Sequence, residues 1–229
     1  MELLLDSGEP KEILEARATG LLSGVTTNPK IYGKLGTDFL KRLDAIVEAS
    51  PGYVFTQVIG WHDVEELLGQ ARWLAKKSPK IVVKLPMSEA GLRACQILKK
   101  ENPEMTIAIT AVAAVWQALM CGKAGADIVA LFNGALDTVS DTPVHIVEPV
   151  RQIYTNYGYK TRILSCARFP RGAAEFAVAG SDLCTVGIEY WRMLFEHPYT
   201  YQRMMGFMED WHKAFGDQKW PSLDGPAKV

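Results

Sequence analysis

Lys80-Ile81-Val82-Val83-Lys84-Leu85-Pro86 is an apolar run too short for a helix and stopped by a proline. Its first part reads as a strand buried on both faces, the kind found in parallel sheets. A lysine in such a strand is unusual, because taking an ammonium out of water is costly. Burial disfavours the charged form, lowers the pKa and leaves a fraction of neutral amine. A neutral amine at a strand end is the nucleophile that Schiff-base chemistry on a carbonyl requires. The plainer alternative puts Lys84 just past the strand with its head in water.

Outward from this stretch the chain alternates strand and helix. Towards the amino terminus the pattern predicts strands at Glu2 to Asp6, Ser23 to Thr27 and Tyr53 to Val58. Helices lie between them, one from Pro10 closing at Gly20, one from Thr37 to Ala49 and one from Asp63 to Lys77. Ser88 is placed to cap the helix that follows the Lys84 strand. Towards the carboxyl terminus, strands are expected at Met105 to Thr110, Asp127 to Phe132, Thr161 to Ser165 and Leu183 to Gly187. A final helical region, interrupted at His197-Pro198, runs to about Phe215. About eight short strand–helix repeats predict an α/β protein, a single (β/α)8 TIM barrel with an extra carboxyl-terminal helix. The barrel domain is expected over residues 1–216, with a tail at 217–229. An open doubly wound sheet competes, but Asp6-Ser7-Gly8-Glu9-Pro10 stands where its Gly-rich phosphate turn belongs, and no GxGxxG or GxxxxGK occurs.

Composition narrows the function classes. The 229 residues, 48% of them hydrophobic, suit one undivided domain with a substantial core. Lys and Arg number 25 against 26 Asp and Glu, a net charge of −1 without a basic block, which argues against nucleic acid as a partner. The amino terminus has no basic segment before its apolar run, and no stretch reaches membrane-spanning length, so no membrane association and a cytoplasmic location are expected. Cys95, Cys121, Cys166 and Cys184 lack CxxC spacing and read as free thiols. His62, His145, His197 and His212 show no ligand spacing, so no metal is expected. There is no GxSxG elbow for acyl transfer.

In a parallel barrel the chemistry sits at the carboxyl ends of the strands. In order, those ends carry Asp6, Thr26-Thr27-Asn28, Gln57, Lys84, Thr110, Asn133 and Ser165-Cys166. Each has a plain structural reading: Asp6 or Asn28 could cap a helix, and the threonines are ordinary strand residues. Their convergence at one rim around one lysine is what a Schiff-base site needs, since a second group must shuttle protons. After the seventh strand, Ala167-Arg168-Phe169-Pro170-Arg171 leads into a helix, a usual anion site in such barrels, with Arg168 and Arg171 as candidate grips.

Leu5-Asp6, Gly24-Val25-Thr26-Thr27-Asn28-Pro29, Phe55-Thr56-Gln57-Val58, Val82-Val83-Lys84-Leu85-Pro86 and Ile109-Thr110-Ala111 resemble the small transaldolase and fructose-6-phosphate aldolase family. Ala124-Gly125-Ala126-Asp127 and Trp211-His212-Lys213-Ala214-Phe215-Gly216 extend the resemblance in matching order. It implies a class I mechanism without a cofactor. Lys84 would form the Schiff base to a ketose or dihydroxyacetone unit. Asp6 and Asn28 would hold substrate hydroxyls, and Gln57 and Thr110 would position the water that moves protons. The partners implied are a ketose donor and an aldehyde acceptor, and the assembly a homo-oligomer, a pentamer or decamer.

Departures from the family pattern bear on the reaction. Gln57 matches the aldolase branch, whereas Phe132 matches the transaldolase branch and lacks the tyrosine hydroxyl that the aldolases carry. Ala135 and Cys166 stand where an arginine and a serine are usual in the phosphate grip, while Arg168 keeps a basic residue near Ser165 and Cys166. The reading favoured is transaldolase-type transfer from a ketose with an anionic end. Fructose-6-phosphate aldolase activity, a transaldolase for a sulfonated ketose such as sulfofructose, and a non-catalytic binding barrel are the alternatives.

Overall fold

A computed structural model describes residues 1–36, 38–132 and 146–217. Eight strands close into a parallel barrel in chain order: β1 (Glu2–Asp6), β2 (Leu22–Thr26), β3 (Tyr53–Gln57), β4 (Ile81–Pro86), β5 (Ile107–Val112), β6 (Ile128–Leu131), β7 (Arg162–Ala167) and β8 (Leu183–Val186). Helices follow the strands, and Pro198–Phe215 forms a carboxyl-terminal helix. By contact, the chain divides into residues 1–191, which contain the barrel, and residues 192–229. No described helix is long and apolar enough to cross a membrane.

Local chemistry sets the element ends. Ser88 accepts a hydrogen bond from the Gly91 N–H at 3.0 Å and caps the helix Glu89–Glu101 after β4. Gly91 is required there: a Cβ would lie 2.0 Å from the Pro86 carbonyl oxygen, so only glycine lets this helix press on the end of the Lys84 strand. The break expected at His197-Pro198 is a helix start, with proline in the first turn and His197 as cap.

β5 departs from its expected span of Met105 to Thr110. The Met105 N–H still closes a turn onto the Asn102 carbonyl, and the ladder begins only at Ile107, whose N–H donates to Asp127 Oδ2 at 2.8 Å. Its far end runs on to Val112 through a bulge. Ile109 faces Val129 and Val112 faces Leu131, so β5 carries one extra residue between them. Ala111 there has φ +64°, a left-handed conformation costly for a residue with a Cβ. The expected helix start at Thr37 lies outside the described residues; Asp38 caps the helix Phe39–Ala49.

The barrel interior is a layer formed by Leu4, Phe55, Val82, Ala108, Ile128, Ala130, Leu164 and Leu183, with Tyr53 packed against it. Side chains alternate along a strand, so residues two further on share the inward face, one layer nearer the carboxyl ends. Two residues beyond Leu4, Phe55, Val82, Ala108, Ala130, Leu164 and Leu183 lie Asp6, Gln57, Lys84, Thr110, Phe132, Cys166 and Thr185. The apolar layer is thus the floor on which this ring stands, polar except at Phe132.

Candidate active site

Lys84 does not snorkel. It lies within β4, only 6% exposed, and its Nζ donates to the Thr27 carbonyl at 2.9 Å. Burial pushes its ammonium below the usual lysine value, with the nearby Cys166 and Asp6 opposing when they are anionic. In the barrel ladder Lys84 sits opposite Gln57.

Asp6 ends β1 beside it. Asp6 is exposed by surface area and lines a pocket, while the protein packed around its carboxyl displaces part of the surrounding solvent. That enclosure raises its pKa, against the Thr26 hydrogen bond and the Lys84 charge, which lower it. A raised acid and a lowered base both disfavour full charge separation, the condition under which protons pass easily between groups. Thr26 Oγ1 donates to Asp6 Oδ1 at 2.7 Å and lies 2.7 Å from Thr185 Oγ1.

A pocket of about 510 Å³ opens above this layer. It is lined by Asp6, Asn28, Pro29, Lys30, Gln57, Phe132, Cys166, Ala167, Arg168, Thr185, Gly187 and Tyr190. Asn28 serves both structure and pocket. Its Oδ1 caps the helix Pro29–Leu35 by accepting from the Ile31 N–H at 3.0 Å, which leaves its amide nitrogen to the pocket. Thr110 follows the same inward register as Lys84, on the segment that bulges. Its hydroxyl is buried and has no hydrogen-bond partner among the described residues. Burial pushes the Cys166 thiol up to about 12, so it is neutral at ordinary pH.

Of the expected residues, Asp6, Asn28, Gln57, Phe132, Cys166 and Arg168 line the pocket, Lys84, Thr26 and Thr110 are buried and do not line it, and Ser165 and Arg171 are directed elsewhere. Ser165 faces outward from β7, where its hydroxyl lies 2.7 Å from Ser181 Oγ in a fully buried contact. The strand alternation forces this: Cys166 faces in, so its neighbour cannot. Arg171 turns away to pair with Glu175 at 2.6 Å on an exposed helix face. Asn133, Ala135 and His145 lie outside the described residues. Lys30, Thr185 and Tyr190 were missed. Thr185 carried the same strand-end signal as Thr26, whereas Lys30 and Tyr190 sit beyond strand ends, where periodicity gives no direction.

The chain matches the family model described as Transaldolase/Fructose-6-phosphate aldolase over residues 3–220. Among curated proteins it is similar to a probable transaldolase of Desulfitobacterium hafniense, 37% identical over 214 residues, covering 93% of this chain and 99% of that protein. Proteins named probable transaldolase from Dictyoglomus turgidum and Aquifex aeolicus are each 35% identical over 215 residues. Both alignments cover 93% of this chain, with 99% and 98% of the respective relatives.

Proposed function

Because the chain belongs to the transaldolase/fructose-6-phosphate aldolase family, we propose that it is a cofactor-free class I enzyme that moves a dihydroxyacetone unit from a ketose donor to an aldehyde acceptor through an imine at Lys84. The observation that carries this reading is an amine buried on the inward face of β4, its charged form disfavoured, beside the carboxyl of Asp6.

The neutral Lys84 amine attacks the ketose carbonyl, and the carbinolamine hydroxyl, protonated from solvent, leaves as water to give the protonated imine. Asp6 takes the proton from the hydroxyl on the carbon next to the bond that breaks. The bonding electrons flow into the imine, the first aldehyde leaves, and an enamine stays on Lys84. The acceptor aldehyde then adds to the enamine carbon, Asp6 returns the proton to the new alkoxide, and water hydrolyses the protonated imine to free the new ketose and the amine, returning the first proton to solvent. Asn28 holds substrate hydroxyls through its amide. Lys30 and Arg168 grip the anionic end of the sugar, a phosphate or sulfonate; neither has a carboxylate partner among the described residues.

Transfer and release diverge at the enamine. Release requires a proton delivered to its carbon by a water, for which Gln57 and the Thr110 hydroxyl, which has no partner among the described residues, are the anchors. Phe132 lines the same pocket and offers no hydrogen bond. This weakens water-borne protonation and favours transfer. The aldolase reading rests on Gln57, which can orient a water but cannot titrate. A donor and acceptor screen that measures free dihydroxyacetone separately from transferred product tests the choice, with transferred product expected to dominate. Phe132→Tyr should then raise the free fraction by a few-fold to roughly tenfold, since one good hydrogen bond is worth about 0.5–1.5 kcal/mol. An unchanged ratio in a folded variant makes Phe132 only a wall of the pocket.

Homo-oligomeric assembly is part of the same reading. The carboxyl-terminal helix exposes Tyr199, Tyr201, Met204, Phe207 and Met208, side chains of the kind that subunit contacts cover.

A further inference from the structure

We propose that Thr185 is a positioning residue which, through Thr26, reserves Asp6 Oδ2 for proton exchange with the substrate. The inference rests on the Schiff-base reading above and adds to it a residue that neither the sequence pattern nor the mechanism had used.

The number of protons available to the two hydroxyls fixes the direction of their hydrogen bonds. Thr26 and Thr185 are both buried, each 3% exposed, and each hydroxyl has one proton to give. An ionised Asp6 can only accept, so at 2.7 Å Thr26 must spend its proton on Asp6 Oδ1. The 2.7 Å contact between Thr26 and Thr185 is then satisfied in one way, with Thr185 donating to Thr26. The chain runs Thr185 to Thr26 to Asp6 Oδ1. Asp6 Oδ2 takes no hydrogen bond from a described residue and belongs to a carboxyl that lines the pocket. When Asp6 gains a proton from the substrate, Oδ1 is already engaged as an acceptor, so the proton resides on Oδ2, from which it is returned.

Without the Thr185 hydroxyl this polarity is no longer enforced. Thr26 becomes free to accept, and a neutral Asp6 can place its proton on Oδ1, aimed at Thr26 and away from the substrate. Thr26 also becomes a weaker donor, since a hydroxyl that itself accepts a hydrogen bond donates more strongly. Loss of that support disfavours the carboxylate, so the pKa of Asp6 rises. The other titratable groups around Asp6 are Lys84 from β4 and Cys166 from β7, with Lys30, Arg168 and Tyr190 on the pocket walls. Thr185→Val leaves all of them in place.

The test is the pH dependence of kcat for Thr185→Val and Thr185→Ser. For Thr185→Val, kcat at the optimum should fall about three- to tenfold with KM within about twofold. The acid limb should move to higher pH by roughly half a unit. Thr185→Ser should restore both. An unmoved acid limb with unchanged kcat overturns the proposal, as does a serine variant as impaired as the valine. Thr185→Ala carries the same comparison if valine does not fold. Borohydride reduction with a ketose, run on the wild type in parallel, separates this proposal from the reading beneath it. With an adduct at Lys84 and an indifferent Thr185→Val, only the Thr185 proposal falls; without any adduct in the wild type, both do.

Discussion

Lys84→Arg is expected to abolish turnover, by roughly four orders of magnitude or more, because a guanidinium stays protonated at working pH and cannot attack a carbonyl. Arginine also puts a permanent charge at a position only 6% exposed, so Lys84→Met is the better-behaved companion. Both should be inactive, but their stabilities should differ in sign. The Lys84 pKa is lowered on folding, so protonated Lys84 destabilises the native state. That cost is fully present below the lowered value and disappears as pH rises past the unfolded value near 10.5. Lys84→Met should therefore unfold at a higher temperature than the wild type at neutral pH, by about 1 kcal/mol of added stability. The advantage should fade towards alkaline pH. A thermal-melt series across pH, beside the activity assay, checks both halves. Residual activity within tenfold of the wild type in either variant removes Lys84 from the chemistry.

The second large effect concerns the anionic end of the substrate. Arg168 follows β7 and Lys30 follows β2; in the closed strand order β8 and β1 lie between, with Thr185 and Asp6 lining the pocket from those strands. The two cations thus flank the reacting carboxyl. A charge-assisted hydrogen bond is worth roughly 1.5–3 kcal/mol, so Arg168→Ala should lower kcat/KM for a phosphorylated or sulfonated substrate about tenfold or more. Lys30→Ala should cost less, because an ammonium is a point charge and cannot pair with the anion in the bidentate way a guanidinium does. Neutral glyceraldehyde should be used almost as well by both variants as by the wild type. Equal losses on charged and neutral substrates would assign Arg168 to the fold or the chemistry instead of the head group. A wild type that prefers the neutral substrate would remove the reason for an anion site.

Much of this was legible in the sequence because a parallel barrel has simple rules. Buried strands read as apolar runs, and the polar residues at their ends announce the rim; Asp6, Thr26, Gln57, Lys84 and Thr110 all take the inward register or its hydrogen bonds. What failed was direction within a pair. Ser165 and Cys166 are adjacent polar residues at one strand end, and only the register with Leu164 on the interior layer shows that the cysteine faces in. The bulge at Ala111 was equally hidden, since alanine carries no signal for a left-handed backbone, and it carries the far end of β5 on to Val112, past the expected Thr110. Arg168 precedes the helix Pro170–Val178 and Arg171 lies in its first turn; the ion pair with Glu175 one turn along turns Arg171 away. Such outcomes depend on partners distant in sequence or on side-chain choice, neither of which periodicity encodes.

The central claim is a covalent bond between Lys84 and the donor ketose, and borohydride trapping followed by peptide mass mapping tests it most directly. Incubated with a ketose donor and reduced, the protein should carry one dihydroxyacetone-derived adduct, on the peptide containing Lys84. The adduct should be absent without donor and absent in Lys84→Met. A stable adduct on a different lysine, or none with any ketose or with dihydroxyacetone itself, would contradict the account.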